Sequence, residues 1–245
     1  FGDRVWKFSQ EYPSCVDDAF VGSGVSLISN EKIQAARISK KKDMRAPLIM
    51  GIDPARTGDR TSIAFRRGRE VPKILKWEFM DEMKLAGIVA DLIRKYDVDK
   101  AFIDVGYGHG TLDRLNELGY SSKIMGVHFS HSPLDDTYLN KRAEMWCLMR
   151  KWFHDGGVNI PDNNELNIDL ASCPDFEPSS NGKIKLPSKK DIRKVSGFSP
   201  DMGDALALTF AYPVFSKEIM ERTQNFSRGG LSQSSSGGLR RKKRA

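Results

Sequence analysis

Residues 48–65 read LIMGIDPARTGDRTSIAF, and the fold turns on how the first six of them end. Leu48, Ile49, Met50 and Ile52 make a short apolar run of the kind a strand buried on both faces requires, and Asp53-Pro54 stops it. A second run, Ala101-Phe102-Ile103, is stopped by Asp104 and Gly106 in AFIDVGYGHGT. Each carboxylate thus ends a buried strand, at the edge where open α/β sheets place their chemistry. If the two strands are parallel neighbours, their axes lie about 5 Å apart. The acids would then repel one another unless they shared cations, which paired sites hold about 4 Å apart.

A third acid is expected from a helix packed over those strand ends. In FSPDMGDALALTFAY, residues 198–212, Asp204 opens an apolar stretch, and Asp201 lies three residues earlier on the same helix face. Ser199-Pro200-Asp201 reads as N-cap, first helical residue and first-turn acid. Asp204 is therefore the expected third ligand and Asp201 a candidate auxiliary. Three carboxylates form a hard donor set that suits Mg²⁺ or Mn²⁺ better than zinc, in a two-ion site. Turn chemistry offers a competing account of Asp53 and Asp104 taken singly.

Working outward, the pattern predicts strands at 48–53, 61–67 and 72–79 as an antiparallel meander, then a helix over 82–96 with Met83, Leu85, Ile88, Val89, Leu92, Ile93 and Tyr96 as its apolar set. Strand 100–104, a helix near 109–118 and strand 123–128 follow. A long helix is expected over 136–154, stopped by Gly156-Gly157, with Trp146 and Trp152 in the core. A short helix over 163–172, a hairpin over 175–186 with a type I′ turn at Ser180-Asn181-Gly182, and a last helix over 200–211 complete the series.

The formal charge of +7 is misleading as a nucleic-acid signature. Residues 227–245 carry six basic residues and no acid, and removing those six from 39 leaves 33 against 32 acids. The folded part is nearly neutral, so any DNA-binding face must come from local clusters such as Lys40-Lys41-Lys42 or Lys183 to Lys194. Cys15, Cys147 and Cys173 are odd in number and widely spaced, which fits neither a disulfide framework nor a zinc site and predicts reduced thiols in a cytosol-like compartment. No apolar run approaches membrane-spanning length, so no membrane partner is expected.

The order βββαβαβα, with acids on the first and fourth strands and on the last helix, resembles the ribonuclease-H-like fold, an α/β architecture with a mixed five-stranded or larger sheet flanked by helices. Several phrases further resemble the nuclease domain of the large terminase subunit of tailed bacteriophages: Gln10-Glu11-Tyr12-Pro13, Gly51-Ile52-Asp53-Pro54-Ala55, Asn140-Lys141-Arg142-Ala143-Glu144-Met145-Trp146, Lys183-Ile184-Lys185-Leu186, and Ser199-Pro200-Asp201 through Asp204-Ala205-Leu206, in the same order. The resemblance implies that residues 1–45 are the end of an ATPase domain and linker, 46–215 the nuclease domain, and 216–245 a basic, disordered tail. It implies metal-binding acids at Asp53, Asp104 and Asp204, and leaves Asp201 against Asp204 open. It further implies cleavage of concatemeric double-stranded DNA with little sequence preference, portal protein and small terminase subunit as partners of the full-length motor, and the host cytoplasm as the place of action. Phe1 in place of Met and the lack of a GxxxxGK[ST] motif fit a fragment without the packaging ATPase half.

Lesser candidates surround these acids. His109 stands beside a proposed ligand and is a candidate DNA contact, as are Lys189, Lys190 and Arg193, for which a solvated charge run is the alternative. His128 and His131 lack the spacing of a helical metal pair and read as structural. The glycine-rich loop at 106–110 fits either a phosphate cradle or a flexible turn. Three rival functions remain at this level: a junction resolvase or integrase-type nuclease, an actin-like ATPase lobe suggested by the two strand-end loops, and a non-catalytic adaptor.

Overall fold

In the computed structural model the described residues are 26–55, 60–78 and 80–215. Helix α1 (Asn30–Ile38) precedes strands β1 (Leu48–Asp53), β2 (Thr61–Arg67) and β3 (Glu70–Trp77), helix α2 (Glu82–Tyr96), strand β4 (Lys100–Asp104), helix α3 (His109–Glu117) and strand β5 (Ile124–Val127). Helices α4 (Lys141–His154) and α5 (Asn164–Ser172), the two-residue strands β6 (Glu177–Pro178) and β7 (Ile184–Lys185), and helices α6 (Lys189–Ser196) and α7 (Asp201–Leu208) follow. The five-stranded sheet runs β3-β2-β1-β4-β5. β1 pairs antiparallel with β2 and parallel with β4, and β4 pairs parallel with β5. This is the mixed sheet expected of a ribonuclease-H-like α/β fold.

Alternation along the strands decides what each sheet face carries. Leu48, Met50 and Ile52 of β1, with Ala101 and Ile103 of β4, join the core beneath α2. Ile49 and Phe102 point the other way, into the core with α4, α5 and α7. Because side chains change face at every residue, Asp53 shares the side of Ile49 and Gly51, and Asp104 the side of Phe102. Both acids are therefore delivered to the face that α7 covers. The parallel register aligns Ile52 with Ile103, so Asp53 and Asp104 follow side by side.

Gly51 lets α7 lie directly on β1. A Cβ there would stand 2.0 Å from the Ala205 carbonyl oxygen and 3.0 Å from the Leu208 Cβ, so only glycine permits this approach. Helix α7 has Pro200 at its N-cap and no side-chain cap from its own segment. Ser199 is thus not the N-cap expected for it. The free N–H groups of Met202 and Gly203 instead donate to Asp169 Oδ2 of α5, at 2.8 and 3.3 Å.

Several boundaries differ from expectation. Helix α4 begins at Lys141, not 136, because Leu139 N–H donates to the Ile184 carbonyl and Ile184 N–H to that of Thr137, while Asn140 caps the Ala143 N–H. Those backbone groups, spent on β7, cannot join a helix. The hairpin turn is not type I′: Gly182 is left-handed at φ 76°, whereas Asp97 alone among the described non-glycine residues has positive φ. Met83, placed in the apolar stripe of α2, is exposed, and Ala86 and Ala90 fill that face instead. Leu27, Ile28, Ile33 and Ala36 are buried in the same core as α4 and α7. The packed unit therefore starts well before Ala46, and 26–45 is not a mere linker. The expectations for residues 1–25 and for the tail 216–245 concern segments outside the described residues. Among those described, no helix is long and apolar enough to cross a membrane, and Cys147 and Cys173 are free, buried thiols.

Candidate functional site

Asp53, Asp104 and Asp204 are all buried, at 3%, 7% and 0% exposure. Burying three carboxylates together is costly without cationic partners, and two are provided. Lys189 Nζ lies 2.8 Å from Asp53 Oδ2, 3.2 Å from Asp53 Oδ1 and 3.1 Å from Asp204 Oδ2. Arg142 Nε donates to Asp204 Oδ1 at 3.1 Å, and Trp146 donates its indole N–H to the same oxygen at 2.6 Å. Asp104 accepts the Gly106 N–H at 3.0 Å.

The three acids respond differently to this setting. Burial pushes the Asp53 carboxyl well above its ordinary range, Lys189 opposes that, and the like charges of Asp204, Asp104 and Asp201 add to it. Asp104 is also raised, chiefly by burial. Burial acts on Asp204 in the same sense, but Arg142, Lys189 and the Trp146 N–H outweigh it and hold that carboxyl low. The Lys189 ammonium is raised, because Asp204 and Asp53 overcome its own desolvation. Asp204 is thus the member of the trio whose charge its surroundings favour.

Lys189 belongs to α6, a helix that the charge pattern concealed. Ser188 caps it by accepting the Asp191 N–H, and Gly197 ends it at φ 82°. Both signals stand in the sequence as Ser188-x-x-Asp191 and Gly197. Lys190 and Arg193 line a cleft of about 390 Å³ whose walls also include Asp53, Arg60, Tyr107 and Asp201. Asp201 therefore sits on the open side of the site while Asp204 forms its buried floor. His109 is exposed at the start of α3 and meets the ring of His128, away from the walls of this cleft.

Sequence reasoning missed Arg142 and the polar role of Trp146. They lie four residues apart, on one face of α4, and both reach Asp204. Trp146 is in the core as expected, yet its N–H is the closest donor to the site. A basic residue in the buried stretch of α4 was the available signal, since such a charge survives only with a partner.

The acids do not form a ready-made cage. Among the described residues no group of three or more His, Cys, Asp or Glu side chains is arranged to hold a metal ion, and the Lys189 ammonium stands between Asp53 and Asp204. The donor set itself suits a hard divalent cation: Asp204 Oδ2 is buried without a hydrogen-bond donor and in charge contact only.

The nuclease domain of the large terminase subunit gp2 of bacterial virus Sf6 superposes with a TM-score of 0.66 at 22% identity, over 78% of this chain and 100% of that chain. The fold is that of the terminase nuclease domains. The large terminase nuclease of thermophilic phage G20c matches at 0.56 and 12% identity, over 78% and 100% of the two chains. The HK97 bacteriophage large terminase matches at 0.57 and 11% identity, over 76% of this chain and 43% of that one. The Sf6 domain has been solved with manganese and with calcium, and the G20c nuclease with magnesium and with cobalt. No protein-family model and no curated protein matches the sequence.

Proposed function

We propose that this chain is the metal-dependent endonuclease domain of a phage terminase large subunit, which cuts concatemeric double-stranded DNA with little sequence preference during genome packaging. The observation that carries the reading is the burial of Asp53, Asp104 and Asp204 at one sheet edge with Lys189 between two of them. The neighbours' terminase fold, and the divalent ions bound in several of them, support it.

Asp53, Asp104 and Asp204 would hold Mg²⁺ or Mn²⁺ in a two-ion site, with Asp201 at the open side as auxiliary. When bound, such ions supply an activated water and stabilise the departing 3′ oxygen. The protein's own part is placement and charge. Arg142 and Trp146 fix Asp204 Oδ1 and leave Oδ2 facing Lys189. Lys190, Arg193 and Arg60, around the cleft, hold the phosphate backbone, a mode of contact that carries no sequence information. Residues before 26 are read as the end of an ATPase part, and 216–245 as a basic tail that contacts polyanions. Portal protein, small terminase subunit and the host cytoplasm are the proposed partners and place of action of the complete motor.

The direct test is conversion of supercoiled plasmid to nicked and linear forms. The chain should cut in Mn²⁺ or Mg²⁺, stop on addition of EDTA, and be inactive as Asp104→Ala. Cleavage by Asp104→Ala at the wild-type rate would falsify this assignment. Preference for four-way junctions over linear duplex would move the chain to the resolvases, and DNA-independent release of phosphate from ATP to the actin-like ATPases.

A further inference from the structure

Three of the four histidines of the chain gather on one surface beside the acids. The rings of His128 and His131 stack at 4.0 Å with 22° between their planes, and His109 meets His128 at 5.6 Å. Their position follows from the sheet: Val127, the last residue of β5, pairs with Asp104, so His128 emerges one strand beyond Asp104 on the same carboxyl edge. Asp53, Asp104 and His128 thus follow one another across three parallel strands.

The loop that bears this stack is fixed by buried machinery. The first two N–H groups of α4, on Lys141 and Arg142, donate to the carbonyls of His131 and Phe129 at 2.8 and 3.0 Å. Glu144 Oε1 accepts the N–H groups of Leu134 and Asp135, and its Oε2 accepts from Lys141 Nζ at 2.6 Å. Lys141 and Glu144 are almost fully buried, and a buried ion pair is an expensive way to hold a loop. What it holds in place is a partly exposed pair of imidazoles, an arrangement that preorganises donors for a ligand.

We propose that the His128–His131 stack, with His109 against it, is a phosphate-binding subsite for the DNA strand that crosses the carboxyl edge of the sheet beyond Asp104. This rests on the nuclease reading and adds a second rim to it: α6 grips the backbone on one side of the acids and the histidines on the other. Burial first, then His131 and His109, hold the His128 imidazole below its ordinary range against the opposing charge of Asp104, and its ring N–H is the donor it offers a phosphate. A chelated metal is the poorer occupant, because two rings stacked nearly parallel at 4.0 Å direct their nitrogen lone pairs along parallel planes and not at a common point.

The test compares wild type, the double variant His128→Ala/His131→Ala, the double variant His128→Gln/His131→Gln and Arg193→Ala. Duplex oligonucleotide affinity is measured by anisotropy in calcium at pH 8 over a range of salt, and cleavage by single turnover at saturating DNA in manganese. The alanine pair should bind about tenfold more weakly, with the salt slope unchanged and the saturating rate within about twofold of wild type. Arg193→Ala should lower the slope by about one. Glutamine, which keeps a donor, should restore most of the loss. Wild-type affinity of the alanine pair overturns the proposal, as does a lowered rate at unchanged affinity or a fall in melting temperature that glutamine does not repair. Stoichiometric Ni²⁺ or Zn²⁺ binding lost with the histidines, at unchanged DNA affinity, overturns it in favour of a metal site. A wild-type chain that neither binds nor cuts DNA defeats the nuclease reading itself, whereas an active wild type matched by the alanine pair defeats only this subsite.

Discussion

Gly51 of β1 and Ala205 of α7 face each other so closely that a Cβ on Gly51 would lie 2.0 Å from the Ala205 carbonyl oxygen. Backbone, not a movable side chain, blocks the space. This contact seats α7 on the sheet and brings Asp204 to the strand end that bears Asp53. Gly51→Ala should therefore lift α7, cost about 3 kcal/mol and abolish cleavage even though no acid is touched. A melting temperature and nicking rate equal to wild type would show that α7 is not seated this way.

Two acids of the site should behave oppositely when neutralised. Asp204 is held charged by Arg142 and Lys189, so Asp204→Asn leaves the buried Arg142 without its acid and Lys189 with Asp53 alone, and should destabilise the chain by about 3 kcal/mol. Asp53 sits above its ordinary range through burial. Asp53→Asn removes a carboxylate that repels its neighbours, which offsets the loss of a Lys189 contact, and stability should change by less than about 1 kcal/mol. Both should be inactive in nicking. Chemical denaturation checks the split, and equal losses in the two variants would refute it.

How much of this was legible depended on how each residue announces itself. Strands β1 and β4 were readable because an apolar run ends abruptly in an acid, and that feature also located Asp53 and Asp104. Asp204 over Asp201 followed from the apolar text after it, and the structure buries Asp204 fully while Asp201 lines the open cleft. Helix α6 was opaque because it is short and Lys189-Lys190-Asp191-Ile192-Arg193-Lys194 sets one buried apolar residue, Ile192, among charges, so it reads as a charge run and its caps were the plainer signal. Lys189, weighed as part of a solvated run, is the bridge between two acids. Asp169 carries no local signature, since its partner lies 33 residues away in sequence, and the charge of Arg142 in a buried helix signals a partner without showing that it is Asp204, 62 residues on.

Lys189 occupies the oxygens that a divalent cation would take in the proposed site. Its ammonium is within 3.2 Å of both Asp53 oxygens and of Asp204 Oδ2. Lys189→Ala should bind Mn²⁺ more tightly, by about tenfold, and should be less stable than wild type in EDTA, where its three acids have lost a counter-charge. Isothermal titration with Mn²⁺ reads the first effect and thermal melting with and without metal the second. Weaker Mn²⁺ binding by the variant would mean that Lys189 organises the acids for the ion instead of competing with it.

Asp169 gives the sharpest pH dependence. Burial pushes its carboxyl up to about 8 from an ordinary 3.8, against the N–H groups of Met202 and Gly203, with Asp201 and Asp204 adding to the rise. The folded state therefore holds a proton that the unfolded chain releases between about 3.8 and 8. Stability from this group is full below that window and falls as pH rises through it, with a slope of at most about 1.4 kcal/mol per pH unit. Asp53 and Asp104, also raised, act in the same direction, while Asp204, held low, loses its contribution only on acidification. Asp169→Asn keeps an oxygen for the helix N–H groups and removes the titration. Between pH 5 and 8 its stability should fall less steeply than that of wild type, and at pH 8 it should be the more stable of the two. Identical slopes in denaturant titrations across that range would mean that Asp169 is ionised throughout, held so by the end of α7.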